Sequence, residues 1–170
     1  MGLRLHSPLL GNLLAVTALA FVATLAALPA QSASANPYGK LSGYWSGGGT
    51  VTPLKGNAEK VSCRATYKTE GASVTQNIRC TGVDHKFAAS FNLTYKSGRI
   101  SGSWSEALYA ASGGVTGTAS GSSIRARLSG NKFSGRMSIN LSGSRHTIDI
   151  VQFDKGSGAY RPVASLSLHR

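Results

Sequence analysis

From Leu41 onward, apolar and polar residues trade places with a period of two, in short runs separated by Gly and Ser. The clearest run is 86–95, where Phe87, Ala89, Phe91, Leu93 and Tyr95 alternate with Lys86, Ala88, Ser90, Asn92 and Thr94. Successive side chains of a strand point to opposite faces, so this pattern predicts a strand with one buried face. Similar runs predict strands over 41–52, 59–68, 73–81, 100–106, 115–128, 132–141, 145–153 and 162–169. The run 115–128 either continues or breaks at Ser120-Gly121, and 107–111 reads as a loop or a short helical turn. Ile124, Ala126 and Leu128 point in, with Arg125 and Arg127 out, while the inner face of 145–153 is ambiguous. No segment after Ala35 holds a helical period over three turns.

Two hairpins have a register that follows from their turns. Cys63 and Cys80 lie symmetrically about Gly71-Ala72, so a hairpin turning there sets Cys63 opposite Cys80. The same rule sets Ala65 opposite Ile78 and Tyr67 opposite Gln76 on the cysteine face. It sets Arg64 opposite Arg79 and Lys68 opposite Thr75 on the other. A second turn at Ser97-Gly98 sets Phe91 opposite Trp104, Leu93 opposite Gly102 and Tyr95 opposite Ile100. The fold class is therefore all-β. It is a single antiparallel up-and-down meander of 8–9 strands, closed or nearly closed into a barrel, with a β-sandwich as the alternative.

The N-terminus changes the setting. Arg4 is followed by an apolar run over 9–28, then Pro29 and the small residues Ala33-Ser34-Ala35. That is the three-part signal-peptide pattern, with cleavage expected after Ala35; an uncleaved anchor is the rival reading. Residues 1–35 are thus read as a cleaved leader and 36–170 as one barrel domain. Export to an oxidising periplasm or exterior makes Cys63 and Cys80 a disulfide.

Charge adds a preference for partners. The chain carries 18 Lys and Arg against 6 acids, and the loss of Arg4 leaves a net charge of +11. Such a surplus favours anionic partners, among them lipid, lipopolysaccharide and other anionic components of a cell envelope. Arg64 facing Arg79 is a like-charge cross-strand pair, which costs energy unless solvent or an anion screens it. Arg64, Arg79, Lys68, Arg125 and Arg127 are the candidate anion-binding residues. Nucleic acid is disfavoured by export and by aromatics that alternate inward instead of lining the basic face.

Gly43-Tyr44-Trp45 resembles the G-x-W signature of lipocalins and other calycins. The resemblance implies a barrel in which the Trp packs across one end against a basic residue late in the chain, here Arg170 or Arg161. Ser-Gly-x-Trp-Ser occurs at 42–46 and again at 101–105. Trp45, Trp104 and Phe91 are the candidate barrel-end and core aromatics. The single Cys pair, the G-x-W and the terminal Leu168-His169-Arg170 are also similar in outline to small periplasmic metalloprotease inhibitors. That resemblance implies an inhibitory N-terminal segment, which would be Asn36 to Lys40.

Catalytic patterns are missing from 36–170: no G-x-S-x-G, no H-E-x-x-H and no P-loop. His85 follows Asp84 in a turn, and His146 sits beside Ile148 as a buried histidine; neither has metal-ligand spacing to a second ligand. The expectation is an exported non-enzymatic binding protein without cofactor or metal, taking a small apolar or lipid-like ligand or an anionic envelope polymer. Inward small residues such as Gly102, Gly117, Gly135, Ala89 and Ala126 fit either a cavity or a closely packed interior. Alternatives are a cationic envelope-structural protein with no internal ligand and a protease inhibitor.

Overall fold

The computed structural model describes Gly2 and residues 36–170, so the expected leader and its cleavage site lie outside the described residues apart from Gly2. Each alternating run becomes a strand. After a short helix α1 (Tyr38–Leu41) come β1 (Gly43–Val51), β2 (Glu59–Glu70), β3 (Ser73–Thr81), β4 (Lys86–Lys96) and β5 (Arg99–Glu106). They are followed by β6 (Ala111–Ser120), β7 (Ser123–Gly130), β8 (Gly135–Ser142), β9 (Arg145–Asp154) and β10 (Ala159–His169). Consecutive strands pair antiparallel, and β1 pairs with β10 from Ser46↔His169 to Val51↔Ala164, so the sheet closes on itself as a barrel. Closure removes the sandwich alternative and leaves no strand edge free to pair with another chain.

Both derived registers are present. Cys63 pairs with Cys80, Arg64 with Arg79 and Tyr67 with Gln76, and the turn uses Gly71 at φ 58°. Phe91 pairs with Trp104 and Tyr95 with Ile100. Cys63 and Cys80 form a disulfide with 4.1 Å between their Cα atoms.

Two elements differ from the sequence expectation. The run 115–128 is two strands, because Gly121 takes φ 59° and turns the chain back at 121–122, which raises the strand number to ten. The segment expected to begin the first strand at Leu41 starts instead with α1. Pro37 fixes φ at −69°, the Asn36 side chain accepts the N–H of Tyr38, and the i, i+3 pair Tyr38 and Leu41 falls on one face, which is buried. One turn of helix is too short to show a period in the sequence.

Alternation sorts the barrel into an apolar interior and a wall of Ser, Thr, Asn, Lys and Arg. The ambiguous β9 buries His146 and Ile148. Its β10 partner is bulged between Pro162 and Ala164. Among the inward glycines, a Cβ at Gly117 would run into the carbonyl oxygen of Arg125, and one at Gly102 into that of Asn92. These glycines therefore serve close approach of neighbouring strands, not an enlarged interior.

Candidate functional site

The two ends of the barrel differ. The hairpin turns at 71–72, 97–98, 121–122 and 143–144, together with α1, gather at one end. There the interior is filled. Trp45 is fully buried and donates from Nε1 to the Leu41 carbonyl at 2.6 Å, fixing α1 against the end of β1. The Arg170 guanidinium carbon stands 4.9 Å from the Trp45 ring centroid, and its Nη1 donates to the Ser42 carbonyl at 3.2 Å. Of the two basic residues offered by the lipocalin resemblance, Arg170 takes the position over Trp45. Arg161 lies at the other end, 3.8 Å from Asp154.

Beside Trp45 sits a buried polar group. His146 packs edge-on to Trp45 with centroids 4.5 Å apart, and its Nε2 lies 3.1 Å from the Tyr67 hydroxyl. Burial pushes the His146 imidazole down to about 4, so it is neutral near pH 7. The same burial pushes the Tyr67 phenol well above its ordinary range. His146 Nδ1 and Gln76 Oε1 are buried without a hydrogen-bond partner among the described residues.

The opposite end is open. The longer loops 52–58, 82–85, 107–110, 131–134 and 155–158 surround it, and a cavity of about 460 Å³ opens between them. Phe91 and Trp104, paired across β4 and β5, form part of its wall, and Leu128 joins them. Nearer the mouth, Phe87, Phe133 and Ile150 line it, with Ala89 leaving space between Phe87 and Phe91. Phe133 meets Trp104 edge to face at 5.7 Å, and Trp104 Nε1 donates to the Ser129 carbonyl at 3.3 Å, so the indole is held in place. Such a wall stabilises an apolar ligand by taking its surface out of water, at ~25 cal/mol per Å² buried.

Three carboxylates at this end are taken up by the backbone and side chains around the mouth. Glu106 accepts the N–H of Ala88 at 2.7 Å and that of Tyr109 at 2.6 Å. Glu59 accepts the N–H of Asp84 at 3.1 Å and lies 2.5 Å from His85 Nδ1. The His85 contact, with backbone N–H groups, holds the Glu59 carboxyl below its ordinary range. Asp154 accepts from the Ser157 hydroxyl and the Gly156 N–H, which lower its carboxyl likewise.

The structure places the sequence-derived residues as follows. Cys63 and Cys80 are bridged inside the barrel. Trp45 closes one end; Trp104 and Phe91 line the cavity at the other. Arg64 and Arg79 face each other on the outer wall of β2 and β3, and neither makes an ion pair among the described residues. Together with Tyr44, Thr66 and Asn77 they border an outer groove of about 620 Å³. Lys68 is nearer the closed end, 4.0 Å from Glu70. Arg125 and Arg127 are on β7, with at least three strands between them and β3 in either direction. They do not join the Arg64–Arg79 patch; Arg127 instead faces Arg136 of β8, whose guanidinium covers Tyr160 at 4.1 Å.

Glu106, Phe87, Phe133 and Ile150 were not marked as site residues by sequence. The inward parity of Glu106, Phe87 and Phe133 was readable, since Glu106 follows Trp104 by two, Phe87 precedes Phe91 by four and Phe133 shares its face with Met137 and Ile139; that of Ile150 was not, because the inner face of 145–153 is ambiguous in the sequence. What was not readable is which end stays open.

No protein-family model matches the chain, and no curated protein matches it. Among solved structures, it is similar to Rv2717c from M. tuberculosis, with a TM-score of 0.65 and 15% identity over 76% of this chain and 92% of that one. It is also similar to the S-type phycobiliprotein lyase CPES from Guillardia theta, with a TM-score of 0.53 and 12% identity over 77% of this chain and 88% of that one. At such identities the likeness is one of fold. It covers the barrel nearly end to end in both neighbours.

Proposed function

We propose that this barrel is a non-enzymatic binding protein that holds one small, largely apolar ligand in the cavity at its open end. The observation that carries this is the contrast between the two ends. One is filled by Trp45, Tyr38 and Leu41 under Arg170, and the other keeps about 460 Å³ walled by aromatic and aliphatic side chains. The cavity reaches the lower size range of small-molecule sites. That a phycobiliprotein lyase is built on a similar barrel supports a ligand-holding use of the fold, although fold alone does not fix function. The leader pattern and the disulfide support a setting outside the cytoplasm for this activity, periplasmic or secreted.

The test is uptake of a fluorescent apolar probe, together with native mass spectrometry of protein purified gently from its own source. Ala89→Trp fills the space between Phe87 and Phe91. Probe binding should then fall at least tenfold while the near-ultraviolet circular dichroism of the barrel persists. Equal probe binding by the folded variant and the parent would refute an internal site.

A second reading has its own observation. Arg64 and Arg79 are exposed, directly opposed and without acidic partners among the described residues. An anionic polymer of the cell envelope, such as lipopolysaccharide, laid along the outer wall would relieve their repulsion. Retention on immobilised lipopolysaccharide that weakens with salt and is lost in Arg64→Ala/Arg79→Ala supports this reading; retention indifferent to both removes it. The inhibitor reading has less to stand on, because Tyr38, within the segment it needs in a protease cleft, is buried against the barrel.

A further inference from the structure

Among the described residues, four large apolar side chains are strongly exposed, and three of them are at the open end. Val83 is 89% exposed on the loop 82–85, and Leu108 and Tyr109 are 57% and 56% exposed on the loop 107–110. These two loops follow one another around the mouth, since they join β3 to β4 and β5 to β6. Apolar side chains on neighbouring loop tips cost solubility and mark an interaction surface.

The loops are also held in shape. Glu59 grips the 82–85 loop through the N–H of Asp84 and the His85 ring. Glu106 grips the 107–110 turn through the N–H of Tyr109, and Lys132 Nζ donates to the Tyr109 carbonyl at 2.9 Å. Val83, Leu108 and Tyr109 are therefore presented outward by anchored backbone.

The anchoring has an electrostatic consequence. Glu59, Glu106 and Asp154 spend their carboxylates on backbone and side-chain donors of the loops, and none of the three is exposed. The rim cations Lys55, Lys86, Lys132 and Lys155 are all exposed. Asp84 is the one exposed acid in the loops around the mouth. The rim thus combines apolar tips with a ring of lysines, the pairing that suits an anionic lipid surface: apolar groups enter the headgroup boundary while lysines meet the phosphates. Tyr109, amphipathic and at the rim of the cavity, suits the same depth.

We infer that the open end docks on an anionic phospholipid bilayer, with Val83, Leu108 and Tyr109 inserted among the headgroups and the rim lysines on their phosphates. Docking in this pose sets the mouth of the apolar cavity against the membrane, so a ligand would pass between the two without crossing water. The docking stands on the loops alone; the transfer rests on the cavity reading proposed above.

The experiment is flotation of the protein, purified as its own cells process it, with phosphatidylcholine vesicles that contain or lack phosphatidylglycerol. Partition onto the anionic vesicles should exceed that onto pure phosphatidylcholine and weaken as salt is added. Val83→Asp with Leu108→Asp should reduce it at least tenfold, and Lys55→Glu, at an exposed rim lysine that does not line the cavity, should reduce it about fivefold at low salt. Apolar-probe uptake measured without vesicles should be unchanged in both variants, which separates loss of docking from loss of the cavity or of the fold. Undiminished flotation of Val83→Asp/Leu108→Asp would overturn the inference, as would no flotation of the parent with either vesicle. So would flotation that is lost in Arg64→Ala/Arg79→Ala, because the lipid would then lie on the outer wall.

Discussion

Arg170 covers the indole of Trp45 at 4.9 Å while its Nη1 reaches back to the Ser42 carbonyl, so the last residue of the chain seals the end where the barrel begins. The contact ties the end of β10 to the start of β1 at the seam where the sheet closes. Arg170→Ala removes a half-solvated cation–π contact and one charge-assisted hydrogen bond, together worth ~1–2 kcal/mol. Thermal unfolding should fall by a few degrees. Trp45→Ala should cost ~3–5 kcal/mol, because it opens a cavity and frees α1 from the barrel. Similar losses for the two variants in chemical denaturation would show that the stack, not the buried indole, dominates.

The disulfide joins two strands that are already paired, so its effect lies mainly in the unfolded chain. Cys63 and Cys80 are 17 residues apart, for which the chain-entropy model gives ~3 kcal/mol. Cys63→Ala/Cys80→Ala should unfold at lower denaturant by about that amount and become insensitive to reductant. Apolar-probe uptake should persist, since neither cysteine lines the cavity at the open end.

His146 makes the closed end sensitive to acid. Its folded pKa, about 4, lies below the ordinary histidine value of 6.5, so the unfolded chain binds the extra proton first. The stability held at pH 7 is therefore complete above about 6.5 and is lost progressively as pH falls toward 4. The loss attributable to this group is ~3 kcal/mol at its limit. Equilibrium unfolding at a series of pH values should show that slope between 6.5 and 4, and His146→Gln should flatten it. A variant that keeps the full slope would assign the acid sensitivity to other groups.

Arg64 and Arg79 face each other, and neither makes an ion pair among the described residues. Arg79→Glu turns repulsion into attraction and should raise stability by ~0.5 kcal/mol at low salt, with the gain shrinking as salt is added. The same substitution should abolish any retention on anionic polymer. Stabilisation together with loss of retention would mark the pair as kept for binding at a cost in stability. Stabilisation without any retention in the parent would leave the pair a tolerated surface feature.

Much of the candidate site was legible as parity and little of it as location. Phe87, Ala89, Phe91 and Trp104 read as inward from alternation alone, because a strand has only two faces. Nothing in that pattern distinguishes a side chain packed in a filled layer from one lining a cavity. Lys68, Arg125 and Arg127 read as outward in the same way, yet Arg125 and Arg127 fall on a separate part of the wall from Arg64 and Arg79, since strands distant in the barrel order cannot share a patch, while Lys68 shares β2 with Arg64 and sits four residues nearer the closed end. Tyr67 and His146 are far apart in sequence and meet only through closure.

By itself the sequence determined the strands, the two hairpin registers, the Cys63–Cys80 bridge and the inward face of most strands. These depend on period two and on turn symmetry, which are local. The tertiary structure alone decided that β1 would meet β10, that Arg170 rather than Arg161 would cover Trp45, and that space would remain at the end ringed by the longer loops. It also decided that Glu59 would turn to the 82–85 loop, and Glu106 and Asp154 to the turns that follow them, leaving the lysines facing out. Each of these joins residues from different strands. Their positions follow from closure of the sheet and from α1 filling one end, neither of which is written in any single stretch of chain.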